Sequence, residues 1–513
     1  MAALTFAAID IGSYNVSMEI FEIGRRSTLR SLNRVRTRLE LGADTFNLKR
    51  ISGERLRELI VILNDYRHMM AEYQVTAYRA CAKSALREAA NSALVLEAVY
   101  QATSIRIDIL ANAEQRFLGC QSIAAAGSAF HDYIAEGTAI IDLGGGSVQI
   151  SLFDQKKLVS TANMPLGSLR IREKLAGLER MARHYPELVE EVINREIENF
   201  KRLYLGERRI KNVILVGDYF TNLIFQNRAD TSKIETRAEF MHWYDHIIRQ
   251  SSAELEREMG IDSEMASVVI PSAILYRRLI EELGADTIWL PGIQLTDGIA
   301  YDYAHRHKLL RETHNFDQDI LASAAHIADR FGCSRPHIAN VTMIAESIFD
   351  GVRKGSGLGP REKLLLRTAA MLYECGRFIS LNDAGESACN IIMATEIIGL
   401  SRREREIIAG AALYQEQPFD YSGKSRLSGL DTGSLMCAVK LTAILRLASA
   451  LDESRRQKAE SVSCSRRGDV FTVQIVTEKD FILEAGSFES RGSLFEEVFG
   501  MKLQLKITKK KGR

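Results

Sequence analysis

Apolar runs with a period of two alternate with runs of helical period along the first 300 or so residues, and the strand-like runs then vanish until near the end of the chain. Leu4 to Ile9 predicts a buried strand that ends at Asp10. Ile11-Gly12-Ser13-Tyr14-Asn15 follows as a turn, and Val16 to Phe21 as a returning strand. The pattern recurs about 130 residues later. Ala139 to Ile141 runs into Asp142, Leu143-Gly144-Gly145-Gly146-Ser147 turns, and Val148 to Phe153 returns with Gln149 near its start. Between the hairpins, Glu54 to Tyr73 has helical spacing. Val75 to Tyr78 and Ile105 to Leu110 read as strands, Ser84 to Val99 as one helix, and Asn112 as the N-cap of the next. Beyond the second hairpin, Pro165-Leu166-Gly167 turns into a helix, and 178–205, 241–259 and 270–283 are helical. Val213 to Val216 is a strand running into Gly217-Asp218, 287–290 is another, and Leu295 opens a helix to about His305. Helices dominate from about 310 to 455. Val470 to Val476, Phe481 to Leu483 and Leu503 to Ile507 then read as strands. Boundaries fall near 125, 300, 310 and 457.

The two hairpins imply two similar half-domains facing one cleft. Glycine admits positive φ and close approach of backbone N–H groups to a ligand. A nest of N–H groups suits an anion, above all phosphate, and the preceding aspartate can hold a metal ion or position water. Taken singly, each hairpin is equally an ordinary glycine-rich turn. A dinucleotide fingerprint is a weaker rival, because it needs G-x-G-x-x-G opening a helix, and here contiguous glycines precede a strand. Arg34, Arg36 and Arg38 share one face of a predicted strand, either as guides for a polyanion or as a solvated edge. Glu114, in the first turn of its helix, either interacts with the helix dipole or stands at the cleft mouth and takes a proton from water. Gly217-Asp218 is placed to line the same cleft.

Composition narrows the classes. The 513 residues allow several domains, and a net charge of +1 argues against bulk attraction to nucleic acid or a membrane. The basic tail Lys509-Lys510-Lys511-Gly512-Arg513 reads as solvated. Seven scattered cysteines form no C-x-x-C pair and fit a reducing cytoplasm. Neither a signal peptide nor an apolar run of the ~18–20 residues of a membrane span is expected.

Taken together, Asp10-Ile11-Gly12-Ser13-Tyr14-Asn15, Ser84-Ala85-Leu86-Arg87-Glu88-Ala89, Glu114-Gln115-Arg116, Asp142-Leu143-Gly144-Gly145-Gly146-Ser147 and Pro165-Leu166-Gly167 resemble the exopolyphosphatase / guanosine pentaphosphate phosphohydrolase family. That family lies in the actin-like ATPase and sugar-kinase superfamily. Leu445-Arg446-Leu447-Ala448 with Leu451-Asp452 resembles the late helix of its third domain. The resemblance implies an α/β fold of two actin-like (ribonuclease H-like) domains flanking a cleft, 1–125 with a return helix at about 299–309, and 126–298. A helical HD-like domain at 310–456 and a small α+β C-terminal domain at 457–513 would follow. It implies a homodimer and a phosphoanhydride hydrolase that takes orthophosphate from inorganic polyphosphate or from guanosine pentaphosphate, with Mg²⁺ as cofactor. Glu114 would orient and deprotonate water. Gly12, Ser13, Asn15, Arg87, Gly144, Gly145, Gly146 and Ser147 would bind phosphate, and Asp142 with Asp10 would hold the metal. Gln149, Gly217 and Asp218 would line the cleft.

The chain departs from that pattern at several positions. Gln149 stands for a glutamate, Lys83 for a common threonine, Asp218-Tyr219-Phe220 for a Gly-Thr-rich loop, and Thr296 for an arginine. In the third domain the His-Asp position reads Tyr373-Glu374, the next His falls near Glu386, and Tyr-His-Arg reads Tyr414-Gln415-Glu416. No metal is therefore expected there. A binding protein with little turnover is the alternative that these departures motivate.

Overall fold

The computed structural model describes residues 4–24, 28–125, 129–178, 184–217, 234–261, 263–310, 314–395, 397–421 and 426–509. They fall into two compact units, Met1–Asn315 and Phe316–Arg513.

The first unit holds two sheets of matching topology. Strands β1 (Leu4–Ile11), β2 (Asn15–Gly24), β3 (Thr28–Arg38), β4 (Ala77–Ala82) and β5 (Ile107–Ile109) lie in the order β3-β2-β1-β4-β5. Strands β6 (Thr138–Leu143), β7 (Val148–Asp154), β8 (Lys157–Met164), β9 (Asn212–Gly217), β10 (Ile234–Thr236) and β11 (Thr287–Trp289) lie in the order β10-β11-β9-β6-β7-β8. In each sheet the first three strands form an antiparallel meander, and the first strand then pairs in parallel with the fourth. The registers coincide: Asp10 faces Ser17, and Asp142 faces Gln149. β1 and β6 are central and covered on both faces, which is why they read as unbroken apolar runs. The Leu295–Arg306 helix returns to the first sheet, where Ile299 and Ala300 join Phe6 and Ala8 in one cluster.

Several predicted elements are revised, each by a local or tertiary contact. The expected 84–99 helix is two, Ser84–Glu88 and Ser92–Thr103. Asn91, between them, pairs through its side-chain amide with both backbone groups of Ile51, at 2.9 and 2.9 Å. The 241–259 helix divides into Arg237–Ile248 and Ser252–Met259, because Ser251 starts a fresh capping box with Glu254. The 178–205 helix begins at Tyr185 and finishes as one π-helical turn, Lys201–Leu205. Phe481 to Leu483 is not a strand: Asp480 accepts the Ile482 N–H at 3.0 Å and the Ile482–Arg491 helix follows.

In the second unit, helices and a three-stranded sheet share one core. The sheet comprises β12 (Ser461–Arg467), β13 (Val470–Thr477) and β14 (Lys502–Lys509), in that order. Ile344, Leu365 and Leu445 of the helices meet Phe471, Val473 and Phe495 of the sheet layer. The Thr432–Ala450 helix is long and apolar enough to cross a membrane by composition; here it is a core helix, with 67% of its most apolar window buried.

Candidate active site

The two turns are built alike. Gly12 N–H donates to Asn15 O at 2.8 Å, and Gly144 N–H donates to Ser147 O at 3.0 Å. Both turns reach the cleft of the first unit, about 580 Å³ and open to solvent, which is lined among others by Ser13, Lys83, Ser84, Gln115, Asp142, Gly144, Gly145, Gly146, Ser147 and Gly217. At the second turn, the carbonyls of Gly144 and Gly145 accept the N–H groups of Ser168 (3.2 Å) and Arg170 (2.9 Å), and Gly146 O accepts Arg170 Nε (2.8 Å). A trans peptide points its N–H opposite to its C=O. The N–H groups of Gly145, Gly146 and Ser147 are therefore turned away from Arg170, on residues that line the cleft. Gly167 makes this possible: a Cβ there would overlap Gly145 C and O. At Gly217 a Cβ would strike Leu143 O.

The lobes meet at one end of this cleft. Arg170 Nη2 binds both oxygens of Glu88 at 2.8 and 2.7 Å, with its guanidinium 4.4 Å from the Phe46 ring centroid. Tyr14 of the first lobe is buried with Leu169 and Val268 of the second, and within the first lobe Ser13 and Ser84 share a hydroxyl hydrogen bond of 2.9 Å.

The expected site residues separate into groups. Gly12, Ser13, Asn15, Asp142, Gly144 to Ser147 and Gly217 lie in or beside the cleft. Half-buried Glu114 is in the first turn of the Asn112–Ala125 helix, and its Oε2 accepts the Ala111 N–H at 2.9 Å. Asn112 is thus the first helical residue rather than the cap, and Gln115, which sequence reasoning passed over, lines the cleft. Arg87 Nη1 donates to Leu110 O at 2.7 Å and is not among the lining residues. Asp10 is 8% exposed and its Oδ2 meets Lys83 Nζ at 3.0 Å. Gln149, 1% exposed, has neither side-chain amide atom hydrogen-bonded among the described residues; it lines a small pocket with Asp142, Arg116 and Ser151. Asp218 and the 219–221 loop fall outside the described residues. Of the arginine row, Arg34 binds Glu19 through two bonds of 2.9 Å, and Arg38 binds Glu40 at 2.8 Å.

Among the described residues no three His, Cys, Asp or Glu gather as a metal cage. Mg²⁺ is commonly held by one or two carboxylates together with substrate phosphates. Asp142, the one acid among the described lining residues, fits that mode. Asp10, already facing an ammonium, does not.

Residues 20–307 match the Ppx/GppA phosphatase family, and residues 321–487 match domain III of the same family. The chain belongs to the Ppx/GppA phosphatase family. Its fold is similar to that of the Aquifex aeolicus family member (19% identity, TM-score 0.50, covering 60% of this chain and 99% of that one). It is also similar to an exopolyphosphatase from Cytophaga hutchinsonii (14% identity, TM-score 0.51, 60% and 100%) and to an exopolyphosphatase-like protein (20%, 0.51, 60% and 100%). The paired sheets are thus the actin-like lobes of a Ppx/GppA protein.

Two charged features of this Ppx/GppA chain only become visible in three dimensions. Glu19, fully buried, also accepts the Thr296 hydroxyl at 2.8 Å. Beside it, burial and the Glu19 charge push the Asp297 carboxyl up to about 6, although it accepts the Gln294 N–H at 2.7 Å. In the domain III region, His337 was not singled out from sequence. Its Nδ1 lies 2.6 Å from Asp452 Oδ2, and its Nε2 lies 2.6 Å from Tyr373 Oη and 3.6 Å from Glu374. Arg455 forms an ion pair with Glu374, and burial raises the Tyr373 hydroxyl well above its usual value. A guanidinium and a phenol therefore complete the cluster around Tyr373-Glu374.

Proposed function

We propose that this chain is an exopolyphosphatase: it hydrolyses the terminal phosphoanhydride of inorganic polyphosphate in the cleft between its lobes. The observation that carries this reading is the pair of aspartate–glycine hairpins on one cleft, with three successive N–H groups of the second turned from Arg170. Phosphoryl transfer needs positioning and charge neutralisation more than covalent chemistry from the protein. The Gly145, Gly146 and Ser147 N–H groups, with the Ser13 hydroxyl, would bind the terminal phosphate. Glu114 would release the Ala111 N–H and take a proton from the attacking water, so that the water oxygen bonds to phosphorus as the bridging oxygen departs with its electron pair. Mg²⁺, held by Asp142 and substrate oxygens, would supply further charge neutralisation. The family membership and the exopolyphosphatase structures of similar fold support this substrate class. Guanosine pentaphosphate presents the same kind of anhydride, and competition in one assay ranks the two substrates.

Binding with little turnover is favoured by one specific observation: Gln149 puts a neutral, buried amide opposite Asp142. We read the helical unit as an HD-like scaffold without a metal, in which His337 and Arg455 engage Tyr373 and Glu374 at the His-Asp position. A homodimer is checked by sedimentation.

The deciding experiment is orthophosphate release from long-chain polyphosphate with Mg²⁺. Glu114→Gln lowers kcat by about 10²–10⁴ and leaves the melting temperature nearly unchanged, because glutamine still accepts the Ala111 N–H. Undiminished activity in that variant removes Glu114 as the base. Tight polyphosphate binding without release, across several divalent ions, establishes the binding protein instead.

A further inference from the structure

The two hairpin aspartates occupy equivalent positions, yet a cation stands beside the first. Lys83 follows the last residue of β4, where β4 pairs with β1 (Ala82 with Ile11), and its own N–H donates to Ile11 O at 3.1 Å. Its carbonyl accepts the Arg87 N–H at 3.0 Å, so its backbone is held on both sides. The side chain crosses the first turn: its Cε and Nζ lie 3.5 and 3.6 Å from where a Cβ of Gly12 would be. Nζ meets Asp10 Oδ2 at 3.0 Å, and both side chains are 11% exposed.

Lys83 is the one cationic residue among the described residues lining the cleft. The neighbouring arginines are committed elsewhere: Arg170 to Glu88 and the Gly146 carbonyl, Arg34 to Glu19, Arg38 to Glu40. Asp142 in the cleft lining and Asp10 beside it would both repel an entering polyanion, and Asp10 and Lys83, each 11% exposed, interact at an effective dielectric below that of water. A divalent ion on each acid would relieve this; a fixed ammonium on one of them does so without a metal.

We propose that Lys83 takes the place of a divalent cation at Asp10 and presents its ammonium to the phosphates of the substrate, leaving Asp142 as the one metal-binding acid of the cleft. The contact with substrate rests on the polyphosphate reading above; the exclusion of a metal from Asp10 does not.

Direct Mn²⁺ titration of the purified full-length chain without substrate, followed by the free-ion paramagnetic resonance signal, tests the exclusion. Asp142→Asn weakens Mn²⁺ binding at least tenfold or so, whereas Asp10→Asn leaves it unchanged. Lys83→Thr bares Asp10 and tightens Mn²⁺ binding by about tenfold, and the double variant Lys83→Thr/Asp10→Asn returns to the wild-type value. The double variant, which buries no lone charge at this pair, and a melting curve for each protein separate these effects from misfolding. If Asp10→Asn weakens Mn²⁺ binding as much as Asp142→Asn does, or Lys83→Thr has no effect in a folded protein, the exclusion is overturned.

The substrate contact is read separately. Lys83→Thr raises KM for polyphosphate by about tenfold with kcat within about threefold, and Lys83→Arg restores most of it. An unchanged KM overturns the contact. Wild-type protein that neither binds nor hydrolyses polyphosphate overturns the functional reading itself, and the Mn²⁺ titration still decides the exclusion.

Discussion

The two glycine-bearing hairpins share a backbone and differ in charge. In the first, Asp10 faces Lys83, and Glu19, two residues beyond Ser17 on β2, is surrounded by Arg34, Thr296 and Asp297. In the second, the residue opposite Asp142 is the neutral Gln149, and the position equivalent to Glu19 is Ser151. The first lobe thus compensates Glu19 with Arg34 of β3 and Asp10 with Lys83 just after β4, while the returning helix brings the Thr296 hydroxyl and a second carboxylate, Asp297, beside Glu19. The second carries three glycines and turns its carbonyls onto Ser168 and Arg170, which leaves peptide dipoles for a ligand's charge. Duplicated backbones can divide the work in this way because hydrogen-bond register is set by the main chain, whereas charge is set by whatever side chains the neighbouring elements bring.

The comparison breaks most visibly at Gly167. Its alanine variant would drive a methyl group into the Gly145 carbonyl, and should cost about 3 kcal/mol in urea unfolding, together with loss of phosphate binding. Gly144→Ala, whose Cβ would come no closer than 3.7 Å to Ser147 O, should cost under about 0.5 kcal/mol. Equal costs at the two positions would refute the view that the second turn depends on backing by Gly167.

A comparable effect, confined to high pH, is expected in the first lobe. The Asp297 carboxyl lies above its ordinary value of 3.8, at about 6 in the folded protein. The folded state therefore holds its proton more tightly than the unfolded state. Its contribution to stability is complete below about pH 4 and is lost as pH rises through about 6, a loss of about 3 kcal/mol at most. Asp297→Asn should match wild type at about pH 3.5 and exceed it at about pH 8. Parallel pH profiles for the two proteins would show that Glu19 and Asp297 are not in conflict.

A smaller change should add charge to the second hairpin at the position where the first has Ser17. Gln149→Glu places a buried carboxylate directly opposite Asp142, where like charges repel. The expected cost is about 1–2 kcal/mol at pH 8 and less at pH 5, where protonation removes the repulsion. Stability that does not depend on pH in this variant would mean that a cation already screens the Asp142 side.

Legibility from sequence followed the range of the interactions. The hairpins, their order and their aspartates were readable because an apolar run, an acid and a glycine are adjacent in the chain. The break before Ser92 was not, since Asn91 is held by Ile51, 40 residues away. Phe481 to Leu483 looked like a strand because three apolar residues carry no clear period. Glu114 was placed correctly in the first turn of its helix, but its bond to Ala111 and the exposure of Gln115 to the cleft depend on how that helix is rotated. Lys83 was noted only as an unusual residue, and His337 not at all.

The amino-acid sequence alone determined the duplicated strand–turn–strand pattern, the change to a helical second half and the resemblance to a phosphatase family, all of which rest on local periodicity and on motif order. Tertiary structure alone decided which charges meet. Lys83 reaches Asp10 across 73 positions, Arg170 reaches Glu88 across 82, and His337 reaches Asp452 across 115. Electrostatic energy depends on separation in space and on burial, and chain distance encodes neither.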